Sequence, residues 1–196
     1  MTHLDVELKR LKDEIVEMFE LVTQQMKKSQ LAFIGFDREI AREVNFNEKR
    51  VNALELKIDK DCENIFALFN PVAIDLRFVL AVLKINSNLE RIGDIADGIS
   101  RYVIGTGNPF DKELIDITRV NEMFVMAVQM LSDVQKAFDS EDTKIARGIF
   151  QKDDLLDEIN ENANSVIENY IRSHEGNISQ SLHIISAIRK LERTGD

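Results

Sequence analysis

Leu89-Glu90-Arg91-Ile92-Gly93-Asp94 returns as Leu191-Glu192-Arg193-Thr194-Gly195-Asp196, with five of the six residues matching. Self-similarity at long spacing marks a duplicated structural unit. The shared residues are odd for a plain helix repeat, since Gly within a helix costs roughly 1 kcal/mol against Ala. Something in this segment requires Gly, Glu and Asp together.

The chain on either side has one periodicity. Leu4, Leu8, Leu11, Ile15, Met18, Val22 and Met26 recur at steps of three and four, which predicts a long amphipathic helix. After a break near Gly35, a second helical stretch runs from Asp37 to Phe69, with a bend expected at Asn45-Phe46-Asn47. Asn70-Pro71 ends it. A third, from Val72 to Ile104, carries Ile74, Phe78, Ala81, Ile85, Ile92, Ile95 and Ile99 on a stripe widened by Leu76, Leu80, Leu83 and Leu89, and so reads as a central, buried helix. Gly105-Thr106-Gly107-Asn108-Pro109 is the one clear linker. Beyond it the pattern repeats as helices at 113–138, 142–172 and from 179 onward, with a break at 173–177. The expected fold is all-α, two tandem three-helix bundles, 1–106 and 107–196. Asp196 falls inside the second motif copy, whereas the first copy continues helically; the natural chain is expected to continue and complete the sixth helix.

Composition narrows the function. The 35 acidic and 25 basic side chains leave a formal charge of −10, against nucleic-acid binding and against an anion sensor, and in favour of cations or basic protein surfaces as partners. One cysteine, Cys62, excludes an internal disulfide and reads as a buried structural thiol in a reducing compartment. No apolar run is long enough to span a membrane and no signal-peptide core stands at the N-terminus, so the expected location is cytoplasmic. Lys9/Arg10/Lys12, Lys27/Lys28, Arg38/Arg42 and Lys49/Arg50 read as solvated helix faces, and Arg77 as a structural ion pair with Asp75 or a neighbouring helix.

Residues four apart share a helix face, so Glu90 projects with Asp94, and Glu192 with Asp196. Asp97 and Asn86 extend the first stripe by a turn each way. The preceding helix of each repeat offers a matching pair in the same register, Glu48 with Asn52 and Asp153 with Asp157. Composition alone gives roughly six acid pairs at this spacing by chance, so one pair means nothing; two pairs in a shared Glu-Arg-x-Gly-Asp frame point to metal sites. Carboxylate and amide oxygens suit Mg²⁺, Mn²⁺, Ca²⁺ or iron better than thiolate-preferring ions. Asn52 brings no charge, which makes the second site the stronger. His3, His174 and His183 form no Glu-x-x-His pair, which argues against a ferritin-like di-iron bundle. There is no phosphate-binding glycine loop, nucleophile elbow or Cys/His cluster.

Asn70-Pro71-Val72-Ala73-Ile74-Asp75-Leu76-Arg77, Leu83-Lys84-Ile85 and Asn88-Leu89-Glu90-Arg91-Ile92-Gly93-Asp94-Ile95-Ala96-Asp97 closely resemble the PhoU family, bacterial accessory proteins of phosphate signalling. The resemblance spans the chain and implies a twofold repeat of three helices. It implies metal clusters, of divalent or trivalent iron, manganese, magnesium or zinc, at Glu48/Asn52 with Glu90/Asp94 and Asp97, and at Asp153/Asp157 with Glu192/Asp196. It also implies a non-enzymatic homodimer that reaches the membrane only through partners. Those partners are the Pst-type phosphate ABC transporter ATPase and a PhoR-type sensor histidine kinase, with the starvation response silenced when phosphate is plentiful. The rival readings are an accessory of another phosphate transporter, a carboxylate-bridged metalloenzyme, and a helical scaffold with incidental acid pairs.

Overall fold

The computed structural model describes residues 2–195, and every regular element among them is helical. Three long helices come first: α1 (His3–Gly35), α2 (Arg38–Phe69) and α3 (Ala73–Gly105). Each boundary has a local cause. Thr2 and Asp5 close a capping box on the first turn of α1, and the Asp37 carboxylate accepts the Glu39 and Ile40 amides at the start of α2. Phe36 and Asn70, both left-handed, end α1 and α2, and Pro71 bars continuation. Across Asn45–Asn47, α2 is unbroken.

The second half has four helices: α4 (Lys112–Thr118), α5 (Val120–Ser140), α6 (Thr143–Ser173) and α7 (Ile178–Glu192). The single helix expected at 113–138 is therefore two. Arg119 takes a left-handed conformation (φ 56°), and its guanidinium is held across the break by Glu122 at 2.8 Å and Glu158 at 3.0 Å. Thr118 Oγ1 donates back to the Leu114 carbonyl at 2.6 Å, closing α4.

α1, α2 and α3 pack mutually, as do α5, α6 and α7, so the fold is two three-helix bundles, with α4 laid on α6. α1 also packs along α5, and α3 meets α7. The most central helix is thus α1, whose Leu11, Ile15, Met18, Phe19, Val22, Met26 and Phe33 are all sealed. The expectation that α3 is buried along its length holds only for its later turns. In its first turns one face packs, with Val79 sealed and Phe78 on Phe138, and the other is left open, with Ile74 77% exposed, Leu76 and Leu80 beside it, and Val72 71% exposed just before the helix. Phe33 stacks on Phe110 at 4.4 Å and lies tilted to Phe124 at 5.7 Å, which joins the halves through aromatic contact. No helix among the described residues is long and apolar enough to cross a membrane.

Candidate metal centre

Glu48 is the decisive residue. It lies nearly three turns into α2, only 7% exposed, and neither carboxylate oxygen has a hydrogen-bond donor among the described residues. A buried carboxylate without a donor carries a heavy desolvation cost. Burial pushes its carboxyl up to about 8, and the like charges of Asp94, Asp97 and Glu90 on α3 push the same way. So α2 and α3 do bring Glu48 to the acidic stripe of the motif. Gly93 is what allows the approach: a Cβ there would stand 3.0 Å from Val51 Cγ1 and 3.5 Å from Glu48 Oε2.

The other candidates are placed less uniformly. Glu90 is half-buried, its carboxyl raised by burial and then by Asp94 and Glu55. Asp94 is exposed at the rim. Asp97 is 4% exposed, with its oxygens already held by Asn45 Nδ2 at 2.8 Å and Arg101 Nε at 2.7 Å. Asn52 is exposed, and its side chain makes no hydrogen bond among the described residues. Among the described residues, no three His, Cys, Asp or Glu side chains are grouped as the shell of one ion. What α2 and α3 present is an open acidic face with one orphaned carboxylate at its floor.

The second motif reproduces the central contact. Asp153 on α6 lies so close over Gly195 that a Cβ there would fall 1.8 Å from Asp153 Oδ1. The acid on the middle helix faces the motif glycine in both copies. Asp153 and Glu192 are half-buried and Asp157 is exposed, while Asp196 lies outside the described residues.

Sequence reasoning missed Glu55 and Asp59, which extend the α2 face beyond Asn52. Asn86, fully buried, donates from Nδ2 to the Glu55 carbonyl at 3.0 Å and to Asp59 Oδ1 at 2.9 Å. Burial and then Asp59 raise the Glu55 carboxyl. The available signal was their spacing, since 48, 52, 55 and 59 follow one helical stripe. The other assignments divide. Cys62 is buried, its thiol pushed up to about 12 mainly by burial, as expected of a structural cysteine. His183 stacks on Tyr102 and bonds Thr106 Oγ1 at 3.1 Å, and His174 stacks on Tyr170. Arg77 does not form the expected ion pair: it is exposed and unpaired among the described residues.

The comparisons with known proteins agree with this architecture. The family model described as the PhoU domain matches residues 15–103 and again 120–196. The PhoU homolog of Aquifex aeolicus, a phosphate-specific transport system accessory protein, is 30% identical over 95% of this chain and 84% of its own. The PhoU of Escherichia coli K12, of the same description, is also 30% identical, over 98% of this chain and 79% of its own. The crystal structure of PhoU from Pseudomonas aeruginosa superposes with a TM-score of 0.91 at 29% identity, covering 99% of this chain and 92% of that one. With both halves matched, and the paired motif glycines each facing an acid on the neighbouring helix, the chain belongs to the PhoU family.

Proposed function

We propose that this protein is a non-enzymatic, metal-binding adaptor of a phosphate-specific transport system that represses the phosphate-starvation response and restrains phosphate uptake. In this reading it links a Pst-type ABC transporter ATPase to a PhoR-type sensor histidine kinase, as a cytoplasmic homodimer. Family membership, with relatives that are phosphate-specific transport system accessory proteins, supports the transport role. The observation that carries the metal role is the Glu48 carboxylate, buried without a donor and facing Asp94 beside Gly93. A cation that carboxylates can ligate, iron, manganese, magnesium or zinc, supplies the positive charge that the buried Glu48 carboxylate lacks. Glu48 and Asp94 hold it, flanked by Glu90 and Asp97; Asp153 and Asp157, with Glu192 and Asp196, form the second site. The metal's contribution is to neutralise the repelling carboxylates and so fix α2 against α3.

The open apolar face at the start of α3 supports an adaptor role. Val72, Ile74 and Leu80 stand exposed there around the unpaired Arg77, a mixed apolar and cationic surface of the sort protein interfaces use. The test is alkaline phosphatase output of the source bacterium at high phosphate. Deletion of the gene should derepress the enzyme, and the Glu48→Gln/Asp94→Asn double variant should fail to restore repression while its metal content falls. Repression unaltered by deletion would remove the regulatory reading, and full metal content in the double variant would remove the metal reading.

A further inference from the structure

The basic side chains that look scattered in sequence are not all scattered in space. Arg91 and Arg101 on α3, Lys190 on α7 and Arg193 just beyond its end surround one open groove of about 390 Å³ between the two bundles. Asp94 and Asp97 share the groove, but Asp97 is spoken for by Arg101 and Asn45. Arg91, Lys190 and Arg193 make no hydrogen bond or ion pair with any described residue. Set against Asp94, these three leave a local excess of positive charge in a chain whose net charge is −10.

Two features show how the groove is built. The side chain of Lys190 lies across α3 at Gly98, where a Cβ would stand 2.9 Å from its Nζ and 3.2 Å from its Cε. The ammonium is therefore placed by packing against a bare stretch of helix. Arg91 and Arg193 are the same residue of the two Leu-Glu-Arg-x-Gly-Asp motifs, so the duplication directs one guanidinium into the groove from each half. A planar fork of donors binds tetrahedral oxyanions bidentately, and an ammonium adds a point charge. Among the described residues, the groove's lining besides the charged groups is Ile95 and Gly98, with no aromatic or broad apolar wall for a base or an acyl chain.

We propose that this groove between α3 and α7 binds a phosphate-class oxyanion, with Arg91, Lys190 and Arg193 as its direct ligands and Arg101 as a flanking charge. This goes beyond the adaptor reading; the groove shares Asp94 and Asp97 with the proposed metal centre, so the test uses metal-free protein. The ligand's phosphate is either free orthophosphate or the phosphate of a small phosphorylated molecule.

The experiment is calorimetric titration of the full chain, stripped with chelator, in low-salt chloride buffer. Sodium orthophosphate and ADP are the two probes. Saturable binding of about one orthophosphate per chain, with ADP no tighter, assigns free phosphate; tighter binding of ADP assigns a phosphorylated small molecule. Arg91→Gln and Arg193→Gln should each weaken the favoured probe about tenfold or more, and Arg91→Lys should keep part of the affinity. Arg172→Gln, which alters an exposed arginine paired with Glu168 in the last turn of α6, should change nothing. Saturation by neither probe, or unchanged affinity in the Arg91→Gln/Arg193→Gln double variant with native circular dichroism, overturns the proposal.

Discussion

Replacing Glu48 by glutamine should make the metal-free protein more stable, and by an amount that grows with pH. The Glu48 carboxyl has an ordinary value of 4.5 and is raised to about 8 in the fold. Between those values the unfolded chain has given up this proton while the folded chain keeps it. The wild type therefore loses ~1.4 kcal/mol of stability per pH unit on this group's account as pH rises. The full interval would come to ~5 kcal/mol, and solvent at the exposed Asp94 screens part of the like-charge repulsion, leaving ~2–4 kcal/mol. Glutamine carries no such linkage. Urea unfolding followed by far-UV circular dichroism should give similar stabilities for wild type and Glu48→Gln near about pH 5, and a variant more stable by ~2–4 kcal/mol near about pH 8. Adding Mn²⁺ should close the gap by stabilising the wild type alone. If the two stability curves run parallel across this range, Glu48 is not the strained carboxylate described above, and the account of the metal centre fails with it.

Phe33→Ala removes a sealed ring that stacks on Phe110 and touches Phe124, and should cost ~3–5 kcal/mol in the same unfolding assay. Gly195→Ala forces the Asp153 carboxylate to swing away, so metal bound per chain, counted by elemental mass spectrometry, should fall relative to Gly107→Ala, where nothing stands within 4 Å of the new Cβ; equal metal in both would refute it. Cys62 should resist a thiol-labelling reagent in the native protein near about pH 8 and react fully in urea. Arg77→Glu should leave stability within about 0.5 kcal/mol of wild type, because the side chain is exposed and unpaired, while weakening capture of the transporter ATPase in a pull-down.

The helices were legible because apolar spacing and end signals agreed. Thr2, Asp37 and Asp142 sit at true helix starts, and Asn70-Pro71 at a true end. The break at Arg119 was not, since arginine carries no turn signal and its left-handed backbone is held by Glu122 and by Glu158 from another helix. The apolar run Val72–Leu80 read as core because periodicity reports a stripe without saying whether anything covers it. The register of Glu48 with the Glu90/Asp94 motif was visible from the repeat, yet which acid lies sealed and which lies in water depends on how α2 and α3 cross. The basic groove was invisible, because Arg91 and Lys190 are neighbours only once the two bundles meet.

α1 serves both bundles: it packs on α2 and α3 within its own, and along α5 of the other. A duplicated gene ordinarily yields two units that can be cut apart, exchanged or lost. Here the first unit's opening helix has become a shared strut, with Phe33 seated among Phe110 and Phe124 of the second half. Severing the Gly105–Pro109 linker would not release two independent bodies, since each would take away a surface the other needs. The duplication has in effect become irreversible, because α1 is packed against both halves.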